Sequence, residues 1–329
     1  MKVNFSQEVL NDKSTWRKLD RIVYFFEDKT HIIDIDVWNE LIDSQWIKSN
    51  KEIIEKSYVE SEWQSKKRHS LMITITKTTY SDKKLSPDDA YKCLSKPVYV
   101  VVENATSDGF FLDAMITAFK RSDLEKDKDK LWQYYQMGGK GEVEKCVEMI
   151  RKRTTGLMRV IIITDSDCKY PGEISETIKK VKDYCDKVKD IPYKILLKRE
   201  VENYLPIESI GKEQFEVEHK KTFDAFISLT HEQKDFFDMK EGFKKKKKNN
   251  KAILGVQSEL YKDVHEDTLK NLCGGFGNNI AKMFNTHIDK ITEDSIRQIC
   301  SSDSKDSNNG YYPDPDEIPE ILDMIEGLI

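Results

Sequence analysis

The stretch that decides the fold is "RVIIITDSD", residues 159–167. A run of apolar and β-branched residues from Val160 to Thr164 leads straight into two aspartates one residue apart. Continuous apolar runs of this length mark strands covered on both faces. Working outward, the same grammar repeats. Upstream lie a strand "VYVVVE" (98–103), a helix "DGFFLDAMITAFKR" (108–121) and an aromatic strand "LWQYYQ" (131–136). After these come a glycine break "MGGKG" and a helix "EVEKCVEMIRKR". Downstream are a helix "EISETIKKVKDYCDKV", with Ile174, Ile178, Val181 and Cys185 as its apolar stripe, and a strand "YKILLK" (193–198). This β-α-β-α-β-α-β order predicts an α/β fold with a parallel sheet and flanking helices.

Around this unit the pattern changes. Residues 1–96 read as a mixed α+β region without assignable chemistry. They contain a half-buried strand in "SLMITITKTTY" and a helix start at Ser86-Pro87. Residues 97–205 form the α/β unit, and residues 206–329 read as a mostly helical C-terminal domain. No internal repeat is visible in the sequence. The chain has 329 residues, 34% charged and 38% hydrophobic, with a net charge of −5. The longest apolar runs are too short to span a bilayer, so no membrane association is expected. The absence of an apolar leader and the six scattered cysteines, with no CxxC pair, point to a reducing cytoplasm. The histidines show no HExxH spacing, and there is no GxSxG elbow or GxxxxGK[ST] loop.

Ligands of open parallel sheets bind outside the carboxyl ends of the strands. Three acidic groups fall there: Glu103, then Asp165 with Asp167, then Glu200 with Glu202. In extended chain, residues two apart share a side, so Asp165 and Asp167 can face the crevice while Ser166 turns away. Glu103 joins them if the first and third strands are neighbours. Converging carboxylates need a counter-charge, and Mg²⁺ or Mn²⁺ prefers oxygen donors. Glu103, Asp165 and Asp167 are therefore candidate metal ligands, and Glu103 also a candidate base for an attacking water. The competing reading of Asp-Ser-Asp is a turn or a helix cap. Lys140 can reach a phosphate from the start of the second helix, or stand as a solvated turn lysine. The run Lys244, Lys245, Lys246, Lys247 and Lys248 suits phosphate contacts, or is a solvated loop.

The order of these motifs resembles the topoisomerase–primase (Toprim) domain over residues 97–205. The resemblance is carried by "VVVE" with Glu103, "MGGKG" with Gly138, Gly139 and Gly141, and "ITDSD" with Asp165 and Asp167. Within that family the chain is most similar to stand-alone nucleases of antiphage defence. These include the overcoming-lysogenization-defect nucleases and the effectors paired with ATPases in the PARIS type of defence. "VENATSDGFFL" resembles their first motif, with Asp108 as a further metal ligand, and "EVENYLP" their later acidic motif, with Glu202. "FFDMKEGF" and "GGFGNNIAKMF" resemble segments of their helical region. Two departures stand out. Asn104 replaces the usual glycine, and the spacing from Glu103 to Asp108 is one residue longer than in the first of these patterns, so Asp108 is equally a helix cap.

The resemblance implies Mg²⁺- or Mn²⁺-dependent endonucleolytic hydrolysis of DNA or RNA and a separate ATPase or other sensor subunit; a homodimer is expected because cutting two strands calls for two sites. The alternative is an inactive Toprim module that binds a regulatory ATPase.

Overall fold

The computed structural model describes residues 1–28, 30–34, 42–64, 71–154, 157, 159–188, 191–210, 214–246, 251–301 and 314–329. Two four-stranded sheets, each parallel throughout, organise them. The second holds the expected α/β unit. Its strands are β5 (Val98–Val102), β6 (Trp132–Gln136), β7 (Val160–Thr164) and β8 (Tyr193–Ile195), in the order β6-β5-β7-β8. β5 and β7 are thus the central, adjacent pair, with Val101 opposite Ile162.

Both central strands are fully buried, and their side chains divide by the two-residue period of a strand. Val98, Val100, Val102, Ile161 and Ile163 join one core; Tyr99, Val101, Val160 and Ile162 join another. The second core is closed by the helices Val143–Arg153 and Glu176–Val188. The first is closed by the helix Ser107–Ala118 and by apolar residues from the C-terminal segment, including the helix Glu317–Leu328. The described residues of 206–329 therefore share a continuous core with one face of the sheet. They are helical in large part, but also contain a small hairpin of β9 (Lys244–Lys245) and β10 (Ala252–Ile253).

The N-terminal region differs from the mixed α+β expectation. It is a second parallel α/β sheet, made of β1 (Lys2–Phe5), β2 (Ile32–Ile33), β3 (Met72–Ile75) and β4 (Lys84–Leu85), in the order β2-β1-β3-β4. Relative to chain direction this is the same strand order as the other sheet, so topology repeats where sequence does not. β2 and β4 are two residues each, too short to carry a period. Arg159, 1% exposed and just before β7, ties the N-terminal region to the second sheet: its guanidinium donates to the carbonyls of Cys93 and Lys96. No helix among the described residues is long and apolar enough to cross a membrane.

Candidate functional site

Glu103 and Asp165 are the residues immediately after β5 and β7, so they leave from adjacent strand ends. The turn after β7 is stitched to the segment after β8. The Val201 N–H donates to Asp165 Oδ1 at 2.9 Å, the Ser166 hydroxyl to the Lys198 carbonyl at 2.7 Å, and the Asp167 N–H to the Arg199 carbonyl at 2.9 Å. Extended geometry stops at Thr164. Asp167 has a φ of 53° and is exposed, Asp165 is half-buried and Ser166 is buried. The two aspartates are therefore presented by a left-handed turn and not by one strand face, as the alternation rule had predicted.

Asp108 lies in the first turn of the helix that follows β5 and is 8% exposed. Its oxygens accept from the Asn104 N–H and the Ser107 hydroxyl, each at 3.0 Å. Burial pushes its carboxyl up, these two bonds pull it back, and the charges of Lys240 and Glu103 also act on it. Asn104, the departure from the family's glycine, has a local role. Its side-chain oxygen accepts from the N–H groups of Thr106 and Ser107, closing the turn that starts the helix.

The segment after β8 adds further acidic groups, and the first three residues of "ENYL" have distinct tasks. Glu202 is fully buried, and its carboxylate joins the acidic groups. Asn203 donates to the carbonyls of Lys234 and Phe237, and Tyr204 to Glu317 at 2.6 Å. Glu200 accepts the Met239 N–H at 2.6 Å. Burial, and then the Glu202 charge, push Glu200 up to about 7. Burial raises Glu202 as well, against the pull of Lys240.

The residue that sequence reasoning missed is Lys240. Its Nζ stands 2.9 Å from Glu202 Oε1 and 3.5 Å from Glu200 Oε2. Burial acts to lower the ammonium, but Glu202 and Glu200 outweigh it and hold Lys240 above its ordinary value, with Asp165 contributing. In "EQKDFFDMKEGF", within the region expected to be mostly helical, the helix ends at Asp235. Residues 238–243 instead form a turn clamped against residues 272–277. The Phe276 N–H donates to the Met239 carbonyl at 2.8 Å and the Gly277 N–H to the Lys240 carbonyl at 3.0 Å. The backbones are in such close contact that a Cβ on Gly242 would lie 2.1 Å from the Leu272 carbonyl oxygen, and one on Gly275 2.6 Å from that of Lys240. The signal in the sequence was the glycines of "KEGF" and "CGGFG", whose partnership is visible only in three dimensions.

Lys240 thus pairs with Glu202 and Glu200 and is felt electrostatically by Asp165 and Asp108, Glu103 acts in turn on Asp108, and Asp167 is exposed. All these acidic donors are oxygens, the type that Mg²⁺ or Mn²⁺ prefers, and Glu202 Oε2 is buried without a hydrogen-bond partner. As arranged, however, the set does not fit a metal. Among the described residues, no three His, Cys, Asp or Glu side chains stand close enough together to hold an ion. Local bonds engage oxygens of Asp108, Asp165 and Glu200, and Lys240 fills the space between the glutamates.

Of the candidate phosphate contacts, Lys140 opens the 3-10 turn Lys140–Glu142, but its side chain lies outside the described residues. Lys244, Lys245 and Lys246 are exposed, the first two on β9; Lys247 and Lys248 lie outside the described residues. Lys244 lines a cavity of about 350 Å³ together with Lys169, Arg199, Asp238 and Glu241.

Compared with known proteins, the chain matches no family model, no curated protein and no solved structure. The Toprim resemblance rests on the motifs quoted above.

Proposed function

We propose that this chain is a divalent-metal-dependent nuclease that hydrolyses phosphodiester bonds of DNA or RNA, with Mg²⁺ or Mn²⁺ as its cofactor. The observation that carries this reading is the gathering of acidic side chains from the ends of β5 and β7 and from the segment after β8. Here Glu202, fully buried, keeps one carboxylate oxygen without a hydrogen-bond partner. Burying a charge in this way is costly unless a function or a counter-ion retains it. Glu103, half-buried at its strand end, is the proposed acceptor of a proton from an attacking water. Asp165, Asp167, Asp108 and Glu202 are the proposed cation-facing groups. The cavity walled by Lys169, Arg199 and Lys244, together with Asp238 and Glu241, is the proposed place of a phosphate backbone. The roles of antiphage effector and ATPase-controlled subunit rest on the motif resemblance, the homodimer on the need for two sites to cut two strands, and the cytoplasm on the scattered cysteines.

The alternative, a silent module that docks on an ATPase, is favoured by one feature. Lys240 already neutralises part of the cluster. The two readings separate when the purified chain is incubated with plasmid, single-stranded DNA and tRNA, in Mg²⁺, Mn²⁺ or EDTA. The nuclease reading expects cleavage of at least one substrate with metal and none in EDTA. Intact substrates throughout, in both metals, would overturn it.

A further inference from the structure

We propose that a second cavity, walled by Tyr170, Pro171, Glu232, Gln233, Val256 and Leu260, is a binding site for an organic cation, an alkylammonium or alkylguanidinium group. The site stands apart from the proposed phosphodiester chemistry and does not depend on it.

Four observations lead to it. First, the space is there. The cavity measures about 640 Å³, a volume typical of small-molecule sites. Second, one acceptor in its wall is unused. Glu232 is half-buried, yet its Oε1 is shut off from water and has no hydrogen-bond partner. A buried acceptor in that state carries its desolvation cost until a donor arrives. Burial, and then the charge of Asp235, push the Glu232 carboxyl up, and a cation at this oxygen would relieve both.

Third, the charge of the wall selects the sign of the ligand. Glu232, Glu259 and Asp263 line the space against Lys262 alone, and Lys262 is already paired with Glu259 at 2.5 Å. The neighbouring cavity, which shares Val256, has Lys169, Arg199 and Lys244 against Asp238 and Glu241. The two cavities therefore suit ligands of opposite sign.

Fourth, the rest of the wall is apolar or already satisfied. Tyr170 and Val256 are exposed large side chains, and with Pro171 and Leu260 they offer a surface to an alkyl stem. The Tyr170 ring adds a face on which a cation can sit. Thr230 and Gln233 cap each other's backbone N–H groups at the start of the helix His231–Asp235, and Gln233 Nε2 donates to the Leu260 carbonyl at 2.9 Å. These bonds fix the wall in advance, and Glu232 supplies the open acceptor.

The test uses titration calorimetry on the full chain. The probes are butylguanidine and spermidine as free cations, the blocked peptide acetyl-Gly-Arg-Gly-amide as a protein side chain, and butylurea as an uncharged analogue. At least one cation is expected to bind saturably, with butylurea about tenfold weaker than the tightest cation or not bound at all. Glu232→Gln keeps the shape and removes the charge, and should weaken cation binding about tenfold or more. Asp267→Asn, at an exposed position outside the cavity, should leave it unchanged. The comparison of butylurea with the cations needs only the wild type, and decides the matter even if Glu232→Gln does not fold. Tightest binding of the peptide would assign the site to an arginine of a partner protein, and tightest binding of butylguanidine or spermidine to a free small molecule. No saturable binding of any of the three cations, butylurea as tight as the cations, or unaltered cation binding in Glu232→Gln overturns the proposal and leaves the nuclease reading untouched.

Discussion

Asp235→Ala should destabilise the protein by about 3–5 kcal/mol, among the largest losses a single substitution in this chain can cause. Asp235 is 5% exposed and Lys198 2% exposed, and the two form an ion pair inside the core. Lys198 also donates to the Ile299 carbonyl at 3.1 Å, and its ammonium lies 5.4 Å from the centre of the Tyr204 ring. Removing the carboxylate strands an ammonium with no route to water, and the cost is the desolvation penalty of that charge and not merely a lost contact. Typical domains hold only about 5–15 kcal/mol in total. Urea unfolding followed by far-UV circular dichroism should therefore show a large drop in midpoint at unchanged slope. The double variant Lys198→Met with Asp235→Leu removes both charges and should recover most of the loss. A single-variant loss under about 1 kcal/mol would mean that the pair is solvated.

Asp165 is the second case, and here the expected loss is in activity. On the proposed reading, Asp165→Ala should lower the rate of nucleic-acid cleavage by about 10²-fold or more, with stability reduced by only about 1 kcal/mol. The small structural term comes from one bond, the Val201 N–H donating to Oδ1 at 2.9 Å. Asp165→Asn separates the two roles. The amide oxygen can still accept from Val201, so stability should be kept, but the negative charge facing Lys240 is gone and cleavage should stay low. Near wild-type cleavage by Asp165→Asn would assign the residue to shaping the turn after β7, and the functional reading would lose its central aspartate.

The two ion-paired lysines, Lys198 and Lys240, show what a one-dimensional reading can and cannot reach. The second sheet was legible because its strands and helices carry strong periods. "VIIIT" is apolar on both faces because two cores close over β7, and the helix Val143–Arg153 shows its apolar stripe because only one side is buried. The ends of the elements carried the acidic residues into view, and the adjacency of β5 and β7 followed from topology.

What was illegible depended on long-range partners. Lys198 and Asp235 are 37 residues apart, both of types that normally sit in water, and nothing local marks them as a buried pair. Lys240 sits in a segment that reads as helix, and becomes part of the site only because Gly242 and Gly275 let two backbones touch. The N-terminal sheet was missed for a different reason. Two of its four strands hold two residues each, and pairing with β1 and β3, not sequence pattern, makes them strands. The turn at Asp167 shows a limit of the alternation rule: it applies only as long as the chain stays extended.

The central claim is that carboxylates from separate strand ends act as one site, and a double-mutant cycle in cleavage rate tests it most directly. Glu103→Gln, Asp165→Asn and the combined variant are compared with wild type on whichever substrate the wild type cuts. If the two carboxylates serve one reaction centre, each single change should be severe and the double variant no more than a few-fold worse than the poorer single. A Glu103→Gln protein that cleaves at the wild-type rate, or losses that multiply as for independent positions, would contradict the account.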